Sequence, residues 1–340
     1  MKIIVDGMGG DHAPKEIVKG AAAASRFFKE KEEIVLVGDE AQIAKLLEKH
    51  DHAKDRVSVV HASEVITGED KPVKAIRAKR DSSLVRALEL VRDGGGDVLI
   101  SAGNSGALMT GALLVLGRIE GIDRPALGAP YPLAIKDTIG LLIDAGANSE
   151  CKPQALLQFA AMGNIYAEKV LGVKRPIVGL INMGTEPEKG GNTLRETYKL
   201  LQAAADRDIF SFVGNIEARD IPYGVADVLV GDGMTGNTVL KLTEGLGMAI
   251  MTMLGQKLTS STGAKIGAML VLPKIRELKA LFDYSEYGGA PVLGVKHPVI
   301  KIHGSSDWKT VQNAILRAVP FVAEDVVGHI EEQLGKIELG

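Results

Sequence analysis

Aromatic residues make up only 4% of this 340-residue chain. That scarcity disfavours a sheet that stacks the bases of single-stranded nucleic acid. A net charge of −3, with no basic run, points the same way, so nucleic acid is not an expected partner. Cys151 is the single cysteine; no internal disulfide framework is possible, and a cytoplasmic, reducing setting is expected. Residues 1–7 read as a short strand and turn, without the apolar core and cleavage site of a secretory leader. No apolar run reaches the length of a membrane-spanning helix, roughly 18 residues or more. The longest, 246–254 and 266–272, are separated by polar stretches and read as two arms of a helical hairpin over 243–272. Catalytic signatures are also missing. There is no G-x-S-x-G elbow and no Gly-Lys-Ser/Thr phosphate loop. His50 and His52 sit in a charged, solvent-facing segment without a third metal ligand. Neither a metal nor an organic cofactor is expected.

One nucleotide fingerprint is present but incomplete. Gly231-Asp232-Gly233-Met234-Thr235-Gly236 follows a strand-like run and precedes a helical pattern over 238–253, the setting of a dinucleotide-binding turn. A ribose-binding acid at the end of a second strand, about 20 residues on, is required. Here that distance falls at Gln256-Lys257-Leu258-Thr259, inside the helical stretch. The turn is therefore expected to bring backbone amides to a small anion, with inorganic phosphate the leading ligand.

Strand-like runs at 2–6, 34–37, 57–61, 98–101, 132–134, 138–144, 177–182, 210–214, 228–230 and 299–303 alternate with helical patterns. This predicts a three-layer α/β/α unit, single over 1–340, with a mostly parallel sheet. Ligands of such sheets sit beyond the carboxyl ends of the strands, and these ends are rich in Gly and Asn. Gly103-Asn104, Gly214-Asn215 and Gly236-Asn237 each follow a strand. Both residue types tolerate turns, but asparagines gathered at one rim also suit a carbonyl and a phosphate, offering donors and acceptors without charge. Asp11-His12-Ala13-Pro14 places an acid and a histidine at a helix start, either as a plain cap or as groups beside an anion. Lys189, on the loop 183–192, can reach an anion as a point charge. Arg219, within Glu217-Ala218-Arg219-Asp220, is either a phosphate clamp or part of a salt-bridge knot. Lys296 and His303 flank the last strand.

Six strings converge on a family: Asp6-Gly7-Met8-Gly9-Gly10-Asp11-His12-Ala13-Pro14; Ser101-Ala102-Gly103-Asn104-Ser105-Gly106-Ala107; Asp144-Ala145-Gly146-Ala147-Asn148; Gly214-Asn215-Ile216-Glu217-Ala218-Arg219-Asp220-Ile221; Asp232-Gly233-Met234-Thr235-Gly236-Asn237; and Tyr287-Gly288-Gly289-Ala290-Pro291-Val292-Leu293-Gly294. In this order the chain closely resembles the phosphate acyltransferases of bacterial phospholipid synthesis (the PlsX family). It departs from the usual pattern at Gly7, Ala218 and Met234-Thr235. The resemblance implies a fold similar to isopropylmalate dehydrogenases and phosphotransacetylases, and a homodimer. It also implies acyl transfer from acyl carrier protein to inorganic phosphate.

On that reading Lys189 and the 233–237 turn hold phosphate, and Asn104 or Asn237 donates to the tetrahedral oxyanion. His12 assists the departing thiolate. Asp232, Gly233, Gly236, Asn215, Arg219, Lys296 and His303 complete the substrate site. The hairpin serves the dimer interface, weak peripheral membrane attachment, or both. Two alternatives remain open: a metal- and NAD-dependent β-decarboxylating dehydrogenase of similar fold, and a non-catalytic acyl-carrier or lipid-binding scaffold.

Overall fold

The computed structural model describes residues 1–28, 31–261, 265, 267–271, 274–275 and 288–338. Its centre is an eleven-stranded sheet in the order β3-β2-β1-β4-β11-β10-β5-β6-β9-β7-β8. The first block comprises β1 (Lys2–Asp6), β2 (Glu33–Gly38), β3 (Val57–His61), β4 (Val98–Ser101) and β11 (Val299–Lys301), all mutually parallel. The second comprises β6 (Thr138–Ile143), β7 (Ile177–Asn182), β8 (Ser211–Glu217) and β9 (Val228–Val230), again parallel among themselves. Between them lie β5 (Ala126–Leu133) and β10 (Ala290–Leu293), joined to each other and to both blocks by antiparallel ladders. Three reversals in a row leave the two blocks pointing in opposite directions. Their carboxyl ends therefore open on opposite edges of the sheet.

The α/β expectation holds, and most strand positions were readable. Strand β10 was not: it sits in a stretch whose glycines suggested a loop, and those glycines are structural. Gly288 and Gly289 both have positive φ, and a Cβ on Gly289 would lie 2.7 Å from the Lys301 carbonyl oxygen.

Strand residues such as Ile3, Ile4, Val5, Leu99 and Ile100 are buried on both faces, as in a sheet covered by helices on both sides. One face packs against α1 (Lys15–Ser25), α2 (Glu40–Leu47), α6 (Pro153–Lys169) and α7 (Asn192–Asp206). The other is covered by α3 (Pro72–Ala78), α4 (Ser83–Arg92) and α5 (Ser105–Gly111), the last extended by one wider turn to Leu116. Local signals start these helices where expected: Asp39 caps α2 through the Gln42 amide at 2.9 Å, and Ser82 caps α4 through Val85. Helix α1 is the exception. Pro14 occupies its cap position after a cis peptide bond, with no side-chain cap, so Asp11 is not the capping group.

Helix α8 (Gly233–Leu258) starts five residues earlier and ends five residues later than the periodicity suggested. Its base packs through Val239 and Leu240 on a small cluster that includes Tyr131, Ile181 and Ile216. The Tyr131 hydroxyl meets that of Thr243 at 2.7 Å. From Leu242 onward its large apolar residues are largely exposed. This is the first arm of the expected hairpin; much of the second lies outside the described residues. The C-terminal pattern over 310–334 resolves into α9 (Trp308–Ala323) and α10 (Val326–Glu338), broken at Asp325, where φ is positive.

Phe321 of α9 is 1% exposed and meets Tyr166 of α6 edge-on at 5.5 Å, tying a helix beside the first block to one beside the second. Phe321→Ala should cost about 3–5 kcal/mol. Urea denaturation will check this; a shift below 1 kcal/mol would mean that α9 and α6 do not depend on this contact.

Candidate functional site

The carboxyl edge of the second block carries Asp144, the 183–191 loop, Asn215 and the 231–237 turn. Asp144 is fully buried and organises the wall. Its Oδ1 accepts from the amides of Leu127 (3.0 Å), Gly146 (3.3 Å) and Ala147 (3.0 Å), and its Oδ2 from the backbone and side-chain nitrogens of Asn148 (2.7 and 2.9 Å). Burial pushes this carboxyl upward and the bonds pull it back. The Asp144–Asn148 loop then receives the start of α8. The Gly233 amide donates to the Asn148 carbonyl at 2.7 Å, and a Cβ on Gly236 would lie 1.9 Å from the Asp144 carbonyl oxygen.

This geometry corrects the reading of the glycine fingerprint. The amides of Gly233, Thr235 and Gly236 are already bonded, to the Asn148 carbonyl, the Asp232 carboxylate and the Asp232 carbonyl respectively. Gly233 and Gly236 seat the helix on a loop and Asp232 caps it; the three bonded amides are not free to cradle an anion. What faces outward is Asn237. Its exposed side chain lies beside Gly146, where φ is +125°, and makes no hydrogen bond among the described residues.

Lys189 rises from the neighbouring strand, since β7 pairs with β9. Its loop is pinned twice: Asn182 Nδ2 donates to the Lys189 carbonyl at 3.1 Å, and Asn215 Nδ2 to the Glu186 carbonyl at 2.7 Å. The Lys189 stem folds over Gly184, and its ammonium lies 3.8 Å from the Glu186 carboxylate, still 46% exposed. Asn215 is buried and its Oδ1 has no partner among the described residues, so it serves this site from beneath. Arg219 takes the knot alternative: it is 78% exposed and pairs with Glu217 at 2.6 Å and Asp220 at 3.9 Å. Lys296 is on the same edge of the sheet, in the turn between β10 and β11, exposed beside Gly117.

The other edge collects a second polar group. His12, Asn104 and His303 belong here and not with Asn237. From β4 to β9 there are five strand steps, roughly 24 Å across the sheet at about 4.8 Å each. The three Gly-Asn turns therefore do not share one rim. Asn104 is also committed. Its Oδ1 accepts from the Ala107 amide at 3.0 Å, and its Nδ2 faces the carbonyls of Thr67, Gly68 and Asp70 at 3.1–3.3 Å. The amide clips the 67–70 loop to α5, so it is not available to an oxyanion. His12 is exposed at the approach to α1.

Three buried polar residues on this edge were given no role by the sequence reading. Asp6, Ser101 and Lys301 stand side by side on three adjacent strand ends. Ser101 Oγ donates to Asp6 Oδ2 at 2.7 Å. Burial pushes Asp6 upward and Lys301 down to about 8. The available signal was a lysine inside the apolar run Val299-Ile300-Lys301-Ile302: a buried ammonium is costly unless something uses it.

A family model for fatty acid synthesis proteins matches residues 1–329. The phosphate acyltransferase of Alkaliphilus oremlandii is 51% identical over 99% of this chain and 98% of its own, and that of Geobacillus thermodenitrificans is 48% identical over 98% and 99%. The chain belongs to the phosphate acyltransferase family. Its fold is also that of solved phosphotransacetylases: EutD from Staphylococcus aureus aligns with a TM-score of 0.63 at 16% identity over 95% of this chain and 94% of that one. The Streptococcus pyogenes enzyme gives 0.64 at 16% over 96% and 94%. At such identity these two likenesses speak to architecture alone, and the family rests on the full-length relatives.

Cys151, half-buried beside the Asp144 wall, is not a poised nucleophile. Burial, with Asp144 and Asp232 adding negative charge, pushes its thiol up to about 11. At pH 8 its alkylation by iodoacetamide should be roughly two orders of magnitude slower than that of an unhindered thiol, and should rise about tenfold per pH unit until it levels off near pH 11. Mass spectrometry of the native protein will check this; fast labelling at pH 7 would overturn the assignment.

Proposed function

We propose that this chain moves a fatty acyl group from an acyl carrier protein thioester to inorganic phosphate, at the edge formed by Lys189 and Asn237. The carrying observation is the pair itself. On a braced loop and near the start of the helix that follows the adjacent strand, these two side chains are left turned outward while the groups around them are spent on structure. Acyl transfer is also what the family name describes, and it takes precedence over the dehydrogenase and scaffold alternatives.

The chemistry needs little from the protein beyond position and charge. Phosphate carries one to two negative charges near neutral pH and is itself the nucleophile. Its oxygen attacks the thioester carbonyl, the C–S bond breaks, and the carrier's thiolate leaves and takes a proton from solvent. Holding phosphate in line with the carbonyl makes a bimolecular step effectively unimolecular. Lys189 supplies a compact cation for phosphate, and the Asn237 amide donates to the oxyanion as it forms. Asp144 and Asn215 act indirectly, by fixing the two loops. Arg219 and Lys296 lie at the margin, where they favour the approach of anionic partners.

Lys189→Ala should lose about 2–4 kcal/mol of transition-state stabilisation with an unchanged melting temperature, read as kcat/KM for phosphate. Asn237→Ala and Asn237→Gly should both lose turnover: the residue is helical, alanine keeps that backbone and glycine loosens it, and neither replaces the amide. Full activity in Asn237→Gly would remove this side chain from the chemistry, and near-normal kcat/KM in Lys189→Ala would remove the lysine.

We further propose that α8 serves dimerisation near its base and membrane contact towards its tip. Leu246, Met248, Ile250 and Met253 are 52–69% exposed, and no helix among the described residues is long and apolar enough to cross a bilayer. The exposed apolar side chains suit contact with a membrane surface, where an acyl phosphate would partition. Lys257 and Lys265 add about 1 kcal/mol each with anionic lipid, so attachment should be weak and salt-sensitive. Ile250→Glu combined with Met253→Glu should abolish co-sedimentation with anionic liposomes while the protein stays dimeric by analytical ultracentrifugation. Unchanged liposome binding would refute the membrane role, and a monomeric variant would assign these residues to the dimer interface instead.

A further inference from the structure

The edge that carries Lys189 and Asn237 also exposes two methionines. Met183 is 78% exposed and Met234 is 68% exposed. A single exposed apolar residue needs no explanation, but these two share one short stretch of rim. Leu180 of β7 pairs with Val230 of β9. Met183 and Gly233 each follow three residues beyond that pair, past the ends of strands about 4.8 Å apart, and Met234 is next along.

Each methionine is set beside one of the two outward polar groups. Met234 and Asn237 are three residues apart in α8, on one face of the helix. Met183 precedes Gly184, over which the Lys189 stem folds. Asn182 braces both ends of that loop. Its Oδ1 accepts from the Met183 amide at 2.8 Å, and its Nδ2 donates to the Lys189 carbonyl at 3.1 Å. Polar groups close to Met234 are already spent. Thr238 Oγ1 donates to the Met234 carbonyl at 2.7 Å, and Lys241 pairs with Glu244 at 3.0 Å. Lys241 also stands between Met234 and the exposed apolar run that starts at Leu242. The two methionines therefore belong to the reaction edge and not to the outer part of α8.

We infer that Met183 and Met234 hold the first methylenes of the acyl chain, and so set a preference for a fatty acyl group over a short one. This rests on the reading of Lys189 and Asn237 as the reaction edge. With the thioester carbonyl held at Asn237, the acyl chain leaves from a point one helical turn from Met234. An unbranched thioether side chain adapts to a flexible hydrocarbon without a fixed pocket. Each methylene that leaves water is worth about fourfold in affinity, so partial cover over a few of them amounts to roughly tenfold. The methionines touch the chain and not the reacting atoms; they determine specificity and take no part in bond making.

Butanoyl and palmitoyl thioesters of acyl carrier protein, compared in the unmodified enzyme and in Met183→Gln combined with Met234→Gln, test this. Glutamine keeps the side-chain length and helix propensity and removes the apolar surface. The ratio of kcat/KM for the palmitoyl over the butanoyl carrier should be well above one in the unmodified enzyme and should fall about tenfold in the double variant. The loss should sit in the KM for the palmitoyl carrier, with the KM for phosphate within about twofold of normal. Met183→Leu combined with Met234→Leu, which restores apolar surface, should recover most of the ratio. An unchanged ratio in the glutamine variant overturns the proposal, as does an equal loss with both carriers. A monomeric glutamine variant in sedimentation velocity also overturns it and assigns the methionines to a subunit interface. Loss of liposome binding with the ratio intact overturns it in favour of the membrane surface. Lys189→Ala distinguishes this failure from failure of the reaction edge. If Lys189→Ala stays active, the edge itself is wrong. If it loses activity while the glutamine variant keeps its ratio, the edge stands and only the role of the methionines falls.

Discussion

Everything in this molecule depends on the reversal of strand direction at the centre of the sheet. Strands β10 and β5 run antiparallel to their neighbours, and the parallel blocks on either side consequently face opposite ways. Loops at carboxyl ends are where an α/β sheet places its ligand groups. A uniformly parallel sheet would have gathered the Gly-Asn turns on one edge. Here Gly103-Asn104 lies on one edge, and Gly214-Asn215 and Gly236-Asn237 on the other.

Each edge is organised around a buried carboxylate. Asp144 accepts the amides of its own loop and so fixes the platform on which α8 begins. Asp6 accepts from Ser101, which stands between it and Lys301. Glycine has a consistent task in both places. Gly236 and Gly9 are required because backbone or carboxylate occupies the space a Cβ would take. Neither site would tolerate the added methyl without moving the wall that holds it, and a close-packed interior leaves little room for such movement.

Much of this was legible in the sequence. Alternating apolar runs and helical patterns gave the layered sheet, and the absence of a second strand after Gly231–Gly236 was readable as well: α8 simply continues to Leu258. Pairing direction was not legible, because β10 is four residues long and hidden among glycines. That omission is why Asn104 and Asn237 seemed to belong together. The purpose of a glycine was equally hidden, since close approach to an anion and close approach to a neighbouring loop demand the same residue. Lys301 was visible only as an anomaly, a charge in a strand otherwise written in valine and isoleucine.

The account makes phosphate the nucleophile and gives the protein only positioning and charge, with Cys151 kept protonated and no other nucleophile proposed at the Lys189 edge. The most direct test incubates the enzyme with an acyl carrier protein thioester and an excess of isotopically labelled free carrier, with and without phosphate, trapping acyl phosphate with hydroxylamine. Phosphate-dependent hydroxamate, with no acyl exchange into the labelled carrier when phosphate is left out, is the predicted result. Acyl exchange in the absence of phosphate would reveal an acyl-enzyme and contradict it, as would hydroxamate formation that does not depend on phosphate.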